Sequence, residues 1–159
     1  MKQSTAVINL HRVKRFFLVS SFMLVIASSS AWASGEPKIS KAVKESFNKE
    51  FMGAKLLEWS EEAGFLKATF ILGDHRTQAF FKEDGQLQGS IRTLFYNQLP
   101  LAVMTAVDKR FSNAEILDVN EINNSLGTAY TITLEAKHKK YRLRLGANGN
   151  INDIERLKK

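Results

Sequence analysis

From residue 39 onward, the apolar positions of this chain follow two rhythms that appear in the same order twice. Ala42, Val43, Ser46, Phe47 and Phe51 recur at helical spacing and lay one apolar stripe along about three turns, with Lys41, Lys44, Glu45, Asn48 and Lys49 on the other side. Ser40 stands where an N-cap accepts a backbone N–H, and Gly53 ends the helix. From Ala54 the period becomes two, which predicts strands over 54–59, 65–72, 75–82 and 86–94. Gly73-Asp74 and Asp84-Gly85 are hairpin signals, so neighbouring strands should run antiparallel. Leu66, Ala68 and Phe70 then share a face with Thr77, Ala79 and Phe81, and that face should lie under the helix.

The second passage begins at Leu99. Pro100 opens a helix with the stripe Val103, Ala106, Val107 and Phe111, and strands follow over 114–121, 128–136, 139–145 and 150–156. At an offset of 60, Ala42, Val43, Phe51, Ala54 and Leu56 fall on Ala102, Val103, Phe111, Ala114 and Ile116. Residues 123–127 are an insertion expected to lengthen the first hairpin loop. Beyond it the offset is 64, and Leu66, Ala68, Phe70, Ala79, Phe81, Asp84-Gly85 and Leu87 meet Tyr130, Ile132, Leu134, Leu143, Leu145, Asn148-Gly149 and Ile151. The pattern predicts an α+β fold of two tandem helix-plus-four-strand repeats, residues 39–95 and 96–159, forming a mainly antiparallel sheet with the helices on one face.

Residues 1–33 read differently. Lys2, Arg12, Lys14 and Arg15 precede the 12-residue apolar run Phe16 to Ala27, and Ala31-Trp32-Ala33 offers an A-x-A cleavage site. These are the parts of a secretory signal peptide, and the run is too short for a spanning helix of roughly 20 apolar residues. Cleavage near Ala33 would release a periplasmic or extracellular protein with a flexible lead at 34–38 and no stable membrane insertion. The same cleavage removes four positive charges from the formal +7, so most of the basicity is targeting signal and a nucleic-acid partner is not expected. The chain has no cysteine, so neither a lipid anchor nor a disulfide is available and stability rests on an apolar core.

The order Ile39-Ser40-x-Ala42-Val43, Phe51-x-Gly53-Ala54, Trp59, Leu66-x-Ala68-x-Phe70 and Asp84-Gly85, followed by a second copy from Leu99, resembles the PepSY-like, β-lactamase-inhibitor-protein-like family of exported bacterial proteins. The resemblance runs from about Ile39 to the C-terminus. It implies a tandem helix-plus-sheet fold whose sheet presents a concave face to a partner. The chain departs from the family pattern at Met52 and Ser112, where proline is frequent, and at Val119 in place of a second tryptophan. No binding residues are carried over.

Catalytic signatures are missing from the sequence. His75 and His138 sit at equivalent hairpin tips without a metal-ligand spacing or carboxylate cluster, and are expected to be solvated turn residues. No serine has a G-x-S-x-G context and no glycine-rich phosphate loop occurs, so neither an enzyme nor a cofactor or metal is expected. Of the 11 phenylalanines, Phe47, Phe51, Phe70 and Phe81 are assigned to the core, whereas Phe65 and Phe80 have the opposite parity and are either exposed or covered by a neighbouring element.

That parity also selects a candidate partner-binding face. If Tyr141, Leu143 and Leu145 point inward, Lys140, Arg142 and Arg144 point out along one strand, with Arg76, Phe80 and Lys82 at matching positions in the first copy. Two readings follow. The row is either an ordinary solvated face paired with Glu135 and other carboxylates of neighbouring strands, or a basic surface for an acidic exported protein or anionic envelope component. The expected function is a non-catalytic exported binding module, inhibitor-like or protein-binding through the open sheet face. The alternative is an envelope structural protein that holds lipid headgroups or polysaccharide.

Overall fold

The computed structural model describes residues 37–158. The proposed signal peptide, its cleavage site and most of the lead lie outside the described residues. Element order is α1 (Lys41–Glu50), β1 (Lys55–Glu62), β2 (Phe65–Leu72), β3 (His75–Phe81), β4 (Leu87–Thr93), a 3-10 turn at Tyr96–Gln98, α2 (Leu101–Arg110), β5 (Glu115–Asn124), β6 (Gly127–Ala136), β7 (Lys139–Gly146) and β8 (Ile151–Arg156). The eight strands form one antiparallel sheet in chain order, each beside its successor. The architecture is α+β.

Each helix is held by local chemistry at its ends. Ser40 caps α1 by accepting from the Val43 N–H at 3.3 Å, and its hydroxyl donates to the Glu83 carbonyl at 3.0 Å, tying the helix start to the β3–β4 turn. Pro100 precedes α2 and gives no side-chain cap. Past the helix ends, Gly53 and Asn113 take φ of 80° and 62°, the left-handed backbone that glycine and asparagine tolerate best. Lys49 and the pair Lys109 and Arg110 lie in the last turns, where positive charge suits the helix dipole.

The stripes bury two apolar clusters. Val43 and Phe47 pack on Leu66, Ala68, Phe70, Ala79 and Phe81, with Phe51, Trp59 and Leu87 around them. Val103 and Val107 pack on Val119, Tyr130, Ile132, Leu134, Leu143 and Leu145, together with Leu94 and Leu99 of the connector. Cross-strand register links the clusters: Phe70, Thr77, Arg92, Glu121, Tyr130 and Leu145 are successive partners on one face. Alternation in a strand then sends the intervening residues to the other face.

The pairings of β5–β8 follow those of β1–β4 position by position. Trp59–Ala68 corresponds to Val119–Ile132, Ala79–Ser90 to Leu143–Ile154, and the irregularities after Leu56 and Phe80 recur after Ile116 and Arg144. Asp84-Gly85 and Asn148-Gly149 recur for a reason beyond turn geometry. A Cβ on Gly85 would lie 2.8 Å from the Ala42 carbonyl oxygen, and one on Gly149 2.4 Å from that of Ala102, because each turn abuts the first turn of its helix. Only glycine permits that approach.

Several sequence expectations need correction. The insertion at 123–127 makes no long loop: β5 runs on to Asn124 and β6 starts at Gly127, so the extra residues lengthen a hairpin closed by Ser125-Leu126. β1 extends to Glu62, three residues past the expected end, because Ser60, Glu61 and Glu62 pair with Lys67, Leu66 and Phe65. His75 is no solvated turn residue. It is partly buried in β3, with Nδ1 3.0 Å from the Thr93 carbonyl oxygen, while His138 is exposed in its turn at φ 60°.

Candidate functional site

The face of the sheet away from the two clusters is built by the alternate residues of the strands. Its longest row runs Glu58, Thr69, Gln78, Ile91, Ile122, Ala129 and Gly146, each the cross-strand partner of the next. Six of the seven are uncharged, and Ile122, Ala129 and Gly146 on β5–β7 are apolar or lack a side chain, so the row carries no ionised group between Glu58 and its end on β7. Beside it lie Ser60, Lys67, Phe80, Gly89 and Asn124. Phe80, Ile91 and Ile122 are half-buried, and Thr69 is 2% exposed. Both helices bury their stripes against the opposite face, so the cover on Thr69 comes from side chains of its own face.

Charge gathers at the margins of this face. Lys67 pairs with Glu62 near one edge, and Arg142 with Glu155 at 3.4 Å and Arg144 with Asp153 at 3.6 Å near the other. The pairs on β7 and β8 are about half exposed, where such contacts contribute roughly 0–1 kcal/mol each. They neutralise charge more than they stabilise.

The residues singled out in the sequence fall into two groups. Arg76, exposed, and Phe80 belong to β3, opposite Ile71 and Lys67. Lys82 stands just past the end of β3, where its Nζ donates to the Gln86 side-chain oxygen at 2.8 Å. Lys140, Arg142 and Arg144 alternate on β7 opposite Glu135, Thr133 and Thr131. Four strand spacings, about 19 Å, separate β3 from β7. Ile91, Ile122, Thr131 and Thr133 occupy the ground between.

A polar seam on the helix-covered face was not anticipated. Arg92 Nη2 donates to Glu121 Oε1 at 2.8 Å, Asn123 donates to the same oxygen at 2.9 Å, and the Tyr130 hydroxyl donates to Oε2 at 3.3 Å. Thr128 donates to Asn123 at 2.6 Å and completes the network. Three donors hold the Glu121 carboxylate, whose side chain is 13% exposed, while Arg92 Nε is buried without a partner. Burial pushes the Tyr130 hydroxyl pKa up, helped by the Glu121 charge and hydrogen bond and opposed by Arg92. Parity could have exposed this seam, since Arg92 and Glu121 occupy inward positions of their strands, but only register shows that they face each other.

The connector to α2 is pinned beside the seam. Gln98 accepts from the Phe95 N–H at 2.8 Å, and the Tyr96 hydroxyl donates to Asp108 at 2.7 Å. Burial, then the Asp108 hydrogen bond and charge, raise the Tyr96 pKa. Among the described residues, no group of three or more His, Cys, Asp or Glu is placed to hold a metal ion, and no helix is long and apolar enough to cross a membrane. A half-open cavity of about 440 Å³ lies against Pro37, Ser40, Glu61, Phe65 and Glu83, without a nucleophile and base in hydrogen-bond reach.

No family model matches the chain, and no curated protein matches it. Solved structures do. A BLIP-like protein from Bacteroides fragilis superposes with a TM-score of 0.70 at 21% identity, covering 77% of this chain and 89% of the other. A DUF2874 family protein from Bacteroides uniformis gives 0.68 at 16% identity over 74% and 88% of the two chains. A Bacteroides eggerthii protein named "putative periplasmic" gives 0.68 at 17% identity over 76% and 90%. What this chain shares with them is the fold, one seen in BLIP-like and DUF2874 proteins.

Proposed function

We propose that the chain is an exported, non-catalytic binding module that receives a protein partner on the open face of its sheet. The observation that carries this reading is the anatomy of that face: an uncharged row through Gln78, Ile91 and Ile122 with Phe80 beside it, and the ion pairs Lys67–Glu62, Arg142–Glu155 and Arg144–Asp153 toward the two edges. Protein interfaces have that arrangement, an apolar core depleted of charge inside a polar rim. The fold shared with a BLIP-like protein, that is one like a β-lactamase inhibitor protein, supports a role in protein binding, and the eggerthii neighbour supports export. Under this reading residues 1–33 are removed near Ala33, and residues 39–95 and 96–159 are two copies of one PepSY-like unit, a duplication supported by the matching registers.

In this reading Phe80 anchors the partner, Arg76, Lys82 and Lys140 supply positive charge that steers an acidic one, and Arg142 and Arg144, paired with Glu155 and Asp153, form part of the polar rim and keep those carboxylates from repelling it. Arg142→Gln with Arg144→Gln should leave folding nearly unchanged, reduce capture of the partner from envelope extract and flatten its salt dependence. Phe80→Ala should reduce capture at every salt concentration. Equal binding by the parent and all variants at low salt would remove the open face from the account. Retention on anionic liposomes or envelope glycans, with no protein captured, would support the lipid or polysaccharide alternative.

A further inference from the structure

β1 and β8 are the two edges of the sheet, each paired on one side only. The junction between β4 and β5 shows what the free sides are shaped for. β8 stands to β7 as β4 stands to β3: Tyr141–Arg156, Arg142–Glu155, Leu143–Ile154 and Arg144–Asp153 take the places of Thr77–Arg92, Gln78–Ile91, Ala79–Ser90 and Phe80–Gly89. β1 stands to β2 as β5 stands to β6, with Ser60–Lys67, Glu61–Leu66 and Glu62–Phe65 in the places of Asn120–Thr131, Glu121–Tyr130 and Ile122–Ala129.

The internal junction pairs Ile91 with Ile122 and Arg92 with Glu121. The same register between β8 of one molecule and β1 of a second sets Arg156 opposite Glu61, which keeps the charge complement of Arg92 and Glu121. It also sets Glu155 opposite Glu62, in the place of the two isoleucines. Like charges directly opposite on neighbouring strands are destabilising. Lys158 likewise holds the place of Leu94, a buried residue of the connector. Within one molecule neither glutamate is strained, since Glu62 pairs with Lys67 and Glu155 with Arg142.

We propose that β8 and β1 are complementary halves of a head-to-tail interface between copies of this chain, and that Glu62 and Glu155 prevent it from forming. Sheets guard their edges with charge because exposed strand edges template further pairing. Here the guard sits at the two positions that the internal junction fills with isoleucine. A head-to-tail contact uses two different edges, so its release gives a series of oligomers, open or closed into a ring, rather than a two-fold dimer. The inference is independent of what the open face binds.

Sedimentation velocity on the purified protein tests it. The parent should run as a monomer over a wide concentration range, whereas E62I/E155I should form species whose mass grows with concentration. E58I adds the same apolar side chain to β1 outside the three positions, Ser60 to Glu62, that repeat the internal register, and should stay monomeric. A charge cycle covers the case in which the isoleucine variant fails to fold: E62K and E155K should each associate, by facing the remaining glutamate of the next copy, and E62K/E155K should not. Near-UV circular dichroism checks folding. The proposal fails if folded E62I/E155I remains monomeric, if E58I assembles to the same extent, or if E62K/E155K associates as strongly as E62K.

Discussion

The two halves of the sheet solve one packing problem with different side chains. Under α1, Phe47, Phe51, Phe70, Phe81 and Trp59 stack edge to face and tilted, with ring centroids 4.8 to 6.5 Å apart, and the gaps between rings are filled by Ala68 and Ala79. Under α2 the corresponding positions are Val107, Phe111, Leu134, Leu145 and Val119, with Ile132 and Leu143 where the alanines stood. Large beside small in one half becomes, apart from Phe111, medium beside medium in the other. Interiors packed to crystal-like density accept either, provided the volume between helix and sheet is filled. The backbone registers fix that volume. Identity of the side chains is then free to drift in compensating sets.

The largest test of this comparison removes one large core side chain from each half. Phe70 and Leu134 are both fully buried and correspond in register. Phe70→Ala should cost about 3–5 kcal/mol and Leu134→Ala about 2–5 kcal/mol in urea denaturation. The aromatic half should lose more, because a ring that touches several others leaves a wider void. Equal losses would mean that the aromatic cluster collapses around the gap.

Next in size are the two turn glycines. Gly85→Ala and Gly149→Ala each force a Cβ toward a helix carbonyl and hold a non-glycine residue at positive φ, 91° and 84°. A cost of order 1–3 kcal/mol is expected for each from backbone strain alone. Gly149→Ala should be the worse, its Cβ meeting the Ala102 oxygen at 2.4 Å against 2.8 Å for Ala42. Reversal of that order would show that α2, without a side-chain cap, yields more readily than α1.

The smallest effect separates the halves by pH. All three tyrosines, Tyr96, Tyr130 and Tyr141, lie after residue 95, and burial raises the first two above their ordinary pKa near 10. The folded chain therefore holds those protons more tightly than the unfolded chain. Their contribution is present in full below about pH 10 and is lost as pH rises from there toward the folded-state pKa. Stability should fall as pH rises above about 10, and Tyr130→Phe should flatten the fall. An unchanged slope would assign the alkaline loss to other groups.

The amino-acid sequence by itself determined the elements and their order. Helical stripes at Val43/Phe47 and Val103/Val107, period-two runs, the Ser40 cap and the turn glycines at 53, 85 and 149 show in local spacing, so a linear reading recovers them, though not the approach of Gly85 and Gly149 to Ala42 and Ala102. The inward parity of Thr77, Ala79 and Phe81 was legible for the same reason. Only the tertiary structure decided which strands meet: that β4 lies against β5, that Arg92 thereby faces Glu121 between two apolar clusters, and that Arg142 and Arg144 find Glu155 and Asp153. It also decided that Arg76 and Phe80 stand four strand spacings from the β7 row. Such contacts join different strands, and register, which no periodicity encodes, chooses among them.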